Sequence, residues 1–163
     1  MHTGDDTANL ITFASGPKIC VKALVHEGIL IESYLQEAPH FSAELIGSGT
    51  EPIREWLQRY SCKEQGPTLQ IRLGAAPFTK TVWEKLLEVP FGKTLSYQAL
   101  SHSAGSPKGA RAAGQAVGAN PLPLFIPCHR VIASDGSLGG FSQGLEVKRR
   151  LLEFELVDPE KIS

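Results

Sequence analysis

Hydrophobic residues alternate with polar ones in three stretches near the start of the chain, over residues 10 to 13, 19 to 25 and 29 to 34. A period of two residues predicts β-strands that bury one face. Gly28 lies between the second and third stretches, where a tight hairpin turn is expected. The pattern therefore predicts a small antiparallel sheet.

The spacing of apolar residues changes to three and four after Thr50, as Ile53, Trp56, Leu57 and Tyr60 show. This spacing predicts an amphipathic helix that covers the sheet. A last strand is predicted over residues 69 to 73. The breaking residues that follow place a domain boundary after residue 74, between domains 1–74 and 75–163.

Helical spacing continues in the second domain. It predicts one helix that begins near Phe78 and ends before Pro90, and a second that runs from its N-cap, Ser96, to about residue 104. A last helix is predicted over about residues 146 to 156. Together with the N-terminal sheet, these helices indicate an α+β protein.

A third helix of this domain is predicted from Ser106, as its N-cap, and Pro107, at its first position, to about residue 119. Two short helices joined by a tight turn predict a helix-turn-helix. The third helix is rich in alanine and glycine, and only Arg111 and Gln115 project far from its middle. Such a helix is suited to lie close against another surface.

The composition is typical of a compact protein, with 163 residues, 42% hydrophobic and 20% charged. No apolar run approaches the length of a membrane span, and the first residues do not resemble a signal peptide. Three cysteines are too few and too scattered for a disulfide framework. We therefore expect a cytoplasmic monomer with reduced thiols and no membrane association.

Charge is distributed unevenly along the chain. Residues 1 to 69 carry 5 basic and 9 acidic side chains, whereas residues 70 to 163 carry 11 and 8. No acidic residue occurs between Glu88 and Asp135, where the basic residues are Lys93, Lys108, Arg111 and Arg130. This favours a surface that faces phosphates, although a solvated basic face explains the charges equally well.

Candidate chemistry is concentrated where Cys128 and His129 follow an apolar, proline-rich run. A free cysteine is only slightly ionised at neutral pH, so a nucleophilic cysteine needs a nearby base, and His129 is the candidate. An isolated pair of this kind is also compatible with a core cysteine beside an incidental histidine. A metal site is a further alternative, but no other Cys or His lies at ligand spacing. Cys20 and Cys62 are interpreted as core or surface residues.

The surrounding motifs decide between these alternatives. They are Ser96-Tyr97-Gln98, Ala110-Arg111-Ala112, Asn120-Pro121, Pro127-Cys128-His129-Arg130-Val131, Gly139 with Ser142 and Gly144, and the stretch from Lys148 to Glu155. In order and spacing they closely resemble the O6-alkylguanine-DNA alkyltransferases over about residues 78 to 155. The resemblance implies a ribonuclease H-like N-terminal domain and a winged helix-turn-helix C-terminal domain.

The resemblance also implies DNA repair by direct damage reversal. An alkyl group on O6 of guanine, with O4-alkylthymine as a second candidate substrate, is transferred irreversibly to Cys128, so each molecule acts once. His129 deprotonates Cys128 through a bound water and Glu155 orients His129. Tyr97 is the candidate to protonate the departing guanine.

The implied partner is double-stranded DNA with an alkylated base flipped out of the stack. Arg111 would fill the space that the flipped base leaves, assisted by Tyr97. Gln98 and Ser134 would contact DNA, and Ser142 would donate to guanine O6. The main-chain groups of Cys128 and Val131 would read the exocyclic amine. Asn120 would connect the third helix, which is the recognition helix of the helix-turn-helix, to the loop that contains Cys128.

Two positions depart from many relatives, Phe141 in place of tyrosine and Ser106 in place of asparagine, and neither removes a catalytic group. Cys20, His26 and His40 lack a fourth ligand, so we expect no metal and no cofactor. Two other functions are weighed against repair. A non-catalytic lesion-binding protein would lack the nucleophile Cys128, and a winged-helix transcription regulator would have no use for the cysteine motif.

Overall fold

The chain divides into two units, Met1–Arg72 and Leu73–Ser163, in a computed structural model that describes residues 9–106 and 109–156. The predicted boundary, after residue 74, lies two residues from this division. None of the helices in the described ranges is long and apolar enough to cross a membrane.

The first unit contains a five-stranded sheet. Its strands are β1 (Asn9–Thr12), β2 (Ile19–His26), β3 (Ile29–Glu37), β4 (Ser42–Gly47) and β5 (Gln70–Ile71). They are ordered β1-β4-β2-β3-β5. The four predicted strands are confirmed, three from the alternation and one from the stretch over residues 69 to 73, and β4 is an addition.

The turn between β2 and β3 confirms the expected hairpin. Glu27 and Gly28 both have positive φ, at 49° and 83°. Two consecutive positive φ angles match the twist of antiparallel strands, as in a type I′ turn, and glycine adopts them without steric cost.

The prediction of a purely antiparallel sheet is wrong, because the sheet is mixed. β4 pairs in parallel with β2, and β5 pairs in parallel with β3. After β3, the chain crosses in four residues to the far side of β2 and does not add beside β3. β4 has the alternation of a half-buried strand, with Ala43 and Leu45 buried. Alternation identifies a strand but not its neighbour, so this crossover leaves no local signal.

The predicted helix of this unit, α1 (Glu51–Ser61), is confirmed. Its buried side chains are Ile53, Leu57, Tyr60 and Ser61. Phe41, which precedes β4, lies 6.0 Å from the Tyr60 ring and 4.9 Å from the Phe13 ring, measured between centroids. This aromatic cluster ties the helix to the sheet, as the amphipathic spacing predicted.

The second unit contains the helices α2 (Pro77–Leu87), α3 (Tyr97–Ser103), α4 (Ala110–Gly118) and α5 (Leu145–Glu155). A short 3₁₀ helix, Cys128–Arg130, precedes α5. Two short parallel strands, β6 (Leu95–Ser96) and β7 (Val131–Ile132), join the residue before α3 to the residues after the 3₁₀ helix. The sequence pattern did not indicate these two strands.

In the segment predicted to be a helix-turn-helix, the expected cap of α3 is present and the start of α4 is corrected. Ser96 caps α3 by accepting a hydrogen bond from the amide of Ala99 at 3.0 Å, as predicted. Helix α4, however, begins at Ala110 with Gly109 as its N-cap, and not at Ser106. Pro107, expected at the first helical position, lies outside the described residues together with Lys108.

Small side chains bring α4 close to its neighbours. Ala113, Ala116 and Val117 are buried, and the indole Nε1 of Trp83 in α2 donates to the Ala116 carbonyl at 2.8 Å. That carbonyl lies in the last turn of α4 and also accepts from the amide of Ala119 at 3.2 Å. Arg111 and Gln115 are on the exposed side, as predicted.

Candidate active site

Asn120 holds the loop that leads to Cys128. Its side-chain amide donates to the Ile126 carbonyl at 2.9 Å, and its side-chain oxygen accepts from the Leu122 amide at 2.9 Å. Leu122, Leu124 and Ile126 are at most 1% exposed. Leu124 has φ of +80°, which a leucine adopts only when the surrounding packing imposes it. The loop is therefore anchored at both ends and packed between them.

Cys128 begins the 3₁₀ helix and is only 2% exposed. Burial raises the pKa of its thiol to about 11, although hydrogen bonding to Asn120 and the charge of Lys148 act in the opposite direction. A thiol with this pKa is protonated at neutral pH. Cys128 therefore needs a partner that removes its proton before it can act as a nucleophile.

His129 and Glu155 form a buried pair in which Nε2 of the imidazole lies 2.6 Å from Oε2 of the carboxylate. Burial lowers the pKa of His129, although the charge of Glu155 opposes this. The imidazole is then neutral at pH 7, and a neutral ring bonds a carboxylate only through a protonated nitrogen. We infer that the proton is on Nε2 and that Nδ1 carries a free lone pair.

Nδ1 of His129 is buried and has no hydrogen-bond partner within the described part of the chain. Buried polar atoms are nearly always hydrogen-bonded, and an exception requires an explanation. An unprotonated Nδ1 beside Cys128 has the properties of a base that accepts a proton, either directly or through a water.

Arg130 supplies the second bond to Glu155, with Nε 2.7 Å from Oε1. Burial alone would raise the pKa of Glu155, but the charges and hydrogen bonds of His129 and Arg130 outweigh it and lower this pKa to about 2. Glu155 is therefore a carboxylate at neutral pH. The interpretation of Arg130 as part of a basic surface is wrong, because the residue is 8% exposed and its charge is neutralised inside the unit.

Replacing Glu155 by glutamine is expected to lower the melting temperature at pH 7, because Arg130 would lose its counter-ion in a buried position. Removing one partner of a buried ion pair typically costs about 3–5 kcal/mol. The folded state lowers the pKa of Glu155 from its ordinary 4.5 to about 2. The stabilisation is therefore complete above pH 4.5 and is lost as the pH falls towards 2.

Melting curves from pH 7 to pH 3 test this expectation. The difference in Tm between Glu155→Gln and the unmodified chain should be largest above pH 4.5 and shrink below it. Glu153→Gln is the matched control, because Glu153 is an exposed carboxylate of the same helix. A difference that stays constant over the whole pH range would contradict the prediction.

Lys148 fixes the loop that follows β7. This fully buried residue of α5 donates from Nζ to the carbonyls of Val131, Leu138 and Gly140. Burial lowers the pKa of its ammonium group to about 8, and the charge of Cys128 opposes the change. The three carbonyls use all three protons of a charged ammonium group. Lys148 therefore connects β7, which directly follows the 3₁₀ helix of Cys128, to the loop of Leu138 and Gly140 that faces Tyr97.

Tyr97 begins α3 and faces the same loop. Its hydroxyl donates to the Gly140 carbonyl at 3.3 Å, and burial raises its pKa. A Cβ at Gly139, where φ is +73°, would lie 2.9 Å from the Tyr97 ring, so glycine is required there for this approach. Tyr97 lines a cleft of about 340 Å³ together with Gly114, Val117, Gly118, Gly140, Phe141 and Ser142.

The other predicted site residues occupy separate positions. Ser142 is exposed and lines the cleft with Tyr97. Val131 is fully buried in β7, next to the 3₁₀ helix. Gln98, Arg111 and Ser134 are exposed, in the first turn of α3, the first turn of α4 and the turn after β7. The side chains of Gln98, Arg111 and Ser134 therefore face outwards. The structure instead joins Cys128, His129, Glu155 and Asn120 in one buried arrangement.

Sequence reasoning missed the parts that Lys148 and Arg130 play. For Lys148 a signal existed, because it shares a helical spacing with the buried Leu151, Leu152 and Glu155. A lysine on an apolar stripe indicates a buried ammonium group with partners. For Arg130 the local sequence contained no such signal.

The residues that the structure describes include no group of three or more His, Cys, Asp or Glu side chains placed to hold a metal ion.

Comparison with known proteins supports the interpretation of this site. Residues 77–157 match the family described as 6-O-methylguanine DNA methyltransferase, DNA binding domain. A methylated-DNA–protein-cysteine methyltransferase of Methanosarcina barkeri is 40% identical over 105 residues, which cover 64% of this chain and 66% of that protein. The Homo sapiens protein of the same name is 52% identical over 124 residues, which cover 69% of this chain and 59% of that one. The chain thus spans about two thirds or less of the length of these curated relatives.

The fold has known counterparts as well. The crystal structure of Mycobacterium tuberculosis OGT in complex with DNA aligns with a TM-score of 0.68 and 28% identity, covering 88% of this chain and 94% of that one. Both are α+β structures with a mixed sheet and helices. The matched segment contains Cys128, His129 and Glu155 together, and the chain belongs to the 6-O-methylguanine DNA methyltransferase family.

Proposed function

We propose that this protein repairs DNA by moving an alkyl group from O6 of guanine onto Sγ of Cys128. The observation that carries the proposal is the buried Cys128–His129–Glu155 arrangement inside the segment that matches the family. A thiol with a pKa raised to about 11 beside a neutral imidazole has little reactivity until the imidazole takes its proton. O4-alkylthymine in DNA is the second proposed substrate.

The first step of the proposed reaction is deprotonation. A water between Sγ of Cys128 and Nδ1 of His129 accepts the thiol proton and passes a proton to Nδ1. Such a water would also satisfy Nδ1, which has no hydrogen-bond partner among the described residues. Glu155, bonded to Nε2 at 2.6 Å, stabilises the imidazolium that forms.

The second step is transfer. The thiolate forms a bond to the alkyl carbon, the bond from that carbon to O6 breaks, and its electron pair goes to the guanine. Tyr97 is the proposed proton donor to the guanine, and because burial raises its pKa its phenol is protonated at neutral pH. Tyr97 then regains a proton from solvent and the imidazolium of His129 releases one to solvent, so that in the balance a proton equivalent to that of the thiol replaces the alkyl group on the guanine. The thioether is a poor leaving group, so each molecule reacts once.

The proposed partner is duplex DNA with the damaged base flipped out. Arg111 is exposed on α4, between Ala110 and Ala112 in the chain, and would enter the duplex where the base leaves. Gln98 and Ser134 would contact the DNA, Ser142 would donate to O6 at the cleft, and the Val131 main chain would read the exocyclic amine. That the related M. tuberculosis OGT is crystallised in complex with DNA supports this partner.

The finer assignment of the fold belongs to the same proposal. We assign α3 and α4 to a helix-turn-helix, and the short pair β6–β7 to its wing. The sharp turn after α3, where Gly105 has φ of +88°, supports this assignment. The ribonuclease H-like N-terminal unit, the monomeric state and the cytoplasmic location stay predictions.

The decisive experiment weighs the protein after incubation with a duplex that contains one O6-methylguanine. The proposal requires a gain of one methyl group on the peptide that contains Cys128, with at most one group per molecule. The same duplex with unmodified guanine is the control. Tight binding without a mass gain would instead favour a non-catalytic lesion-binding protein. The absence of both a mass gain and tight binding would favour a transcription regulator.

Replacing Arg111 by alanine is expected to slow repair of duplex DNA on the order of 10²-fold, because extruding a base costs a few kcal/mol and the variant cannot hold the gap open. Transfer from the free base O6-benzylguanine should stay nearly unchanged, since it requires no flipping. Arg54→Ala removes the same charge from an exposed position of α1 and serves as the control. Equal slowing with both substrates would place Arg111 outside the duplex.

A further inference from the structure

Arg130 connects three segments of the second unit from a nearly buried position. Its Nε lies 2.7 Å from Glu155 Oε1, and its Nη1 donates to the Val89 carbonyl, between α2 and α3, at 2.8 Å. Its guanidinium lies 5.8 Å from the centre of the Phe91 ring, and Phe91 in turn contacts Phe154 of α5 edge to face. Such fixed contacts leave the guanidinium little freedom to turn.

The two oxygens of Glu155 are used by different partners. Oε2 accepts from His129 and Oε1 accepts from Arg130. A bond from a planar guanidinium limits rotation of a carboxylate, so Oε2 stays directed at Nε2. If the carboxylate took up a proton, it would donate to Nε2, and the imidazole proton would move to Nδ1. If the carboxylate turned away, it would no longer hold the proton on Nε2. In both cases the imidazole would lose the lone pair on Nδ1, at least in part of the molecules.

We propose that Arg130 is a positioning residue for alkyl transfer, because it holds Glu155 ionised and oriented so that His129 keeps its proton on Nε2 and presents Nδ1 to Cys128. Only the effect of Arg130 on the transfer rate rests on the proposed function. The tautomer that it predicts is a property of the free protein.

The charges around His129 set the direction of the expected effect. Glu155 and Lys148 face it from α5, and Arg130 and Cys128 flank it in the chain. The charges of Arg130 and Lys148 lower the pKa of His129, whereas Glu155 raises it. Removal of the Arg130 charge therefore raises the pKa of His129, and the fraction of neutral imidazole falls at mildly acidic pH.

The kinetic test compares Arg130→Gln with Arg130→Lys over a range of pH. For Arg130→Gln, the acidic limb of the profile of transfer rate against pH should move up by about one unit, a tenfold loss of rate below the limb. Above the limb, the rate should level off below that of the unmodified protein, because the fraction of imidazole with its proton on Nδ1 cannot accept the thiol proton. Arg130→Lys keeps the charge and should keep the limb within about 0.3 units. An acidic limb that stays at the same pH as in the unmodified protein would overturn the proposal.

The structural test needs no activity. Nitrogen-15 NMR of the His129 side chain should show a protonated Nε2 and an unprotonated Nδ1 in the unmodified protein, and a mixture of tautomers in Arg130→Gln. Phe91→Leu is the control, since it removes the contact with the guanidinium and keeps the bond to Glu155. It should lower Tm without changing the tautomer.

The two tests separate failure of this inference from failure of the proposed function. A protonated Nδ1 in the unmodified protein would overturn the role of Arg130 even if Arg130→Gln did not fold. The expected tautomer in a protein that transfers no alkyl group would contradict the proposed function alone.

Discussion

Replacing Cys128 by serine is expected to abolish alkyl transfer completely and to leave binding of alkylated duplex DNA within about threefold of the unmodified protein. A serine hydroxyl is far less acidic than a thiol, so the imidazole of His129 cannot generate a useful nucleophile from it. Cys128 is 2% exposed and therefore contributes little contact area to a bound duplex. Protein mass after reaction and titration of a labelled O6-methylguanine duplex measure the two effects separately.

Cys62→Ser is the matched control for this variant, since it makes the same substitution at an exposed cysteine of the other unit. It should retain full transfer. If Cys128→Ser lost binding and transfer to the same degree, Cys128 would have a structural role. If it retained transfer, another residue would be the acceptor.

Replacing His129 by alanine is expected to slow transfer at pH 7 by about 10²- to 10⁴-fold, the usual range for a lost general base. With the thiol pKa raised to about 11, only about one molecule in 10⁴ carries a thiolate at pH 7 without assistance. Each unit of added pH should raise that fraction about tenfold. The variant should therefore recover a large part of its rate between pH 7 and pH 10.

Two measurements make this result interpretable. Melting curves at both pH values establish that the variant is folded, because the loss of a fully buried side chain leaves a cavity. His26→Ala, which replaces an exposed histidine of β2, is the control and should transfer at the full rate. A rate that stays equally low at every pH in a folded variant would show that His129 positions the thiol and does not deprotonate it.

Together, these two variants distinguish the acceptor from its activation. Cys128→Ser removes the atom that receives the alkyl group, so no pH restores transfer. His129→Ala keeps that atom and removes only the partner that takes its proton. A pH-dependent rescue of the second variant and not of the first would therefore assign the two roles independently.

Local features of the sequence determined most of the elements. Alternation predicted three strands, Gly28 the hairpin, and Ser96 the cap of α3, because each depends on residues within a few positions of one another. The same holds for the candidate nucleophile and base, since Cys128 and His129 are adjacent in the chain. The start of α4 was predicted wrongly, because Gly109 and not Ser106 is its N-cap, and the Ser106 carbonyl accepts from the Gly109 amide at 2.9 Å.

Only the tertiary structure decided which elements and side chains are neighbours. The place of β4 beside β2, the burial of Arg130 and the three carbonyls around Lys148 all depend on contacts between residues distant in the chain. The sequence identified Arg130 as a basic residue, and only the fold places it beside Glu155, 25 residues away. Strand partners and buried ion pairs are selected by packing and desolvation, which act on the assembled unit and leave no periodic signal in the chain.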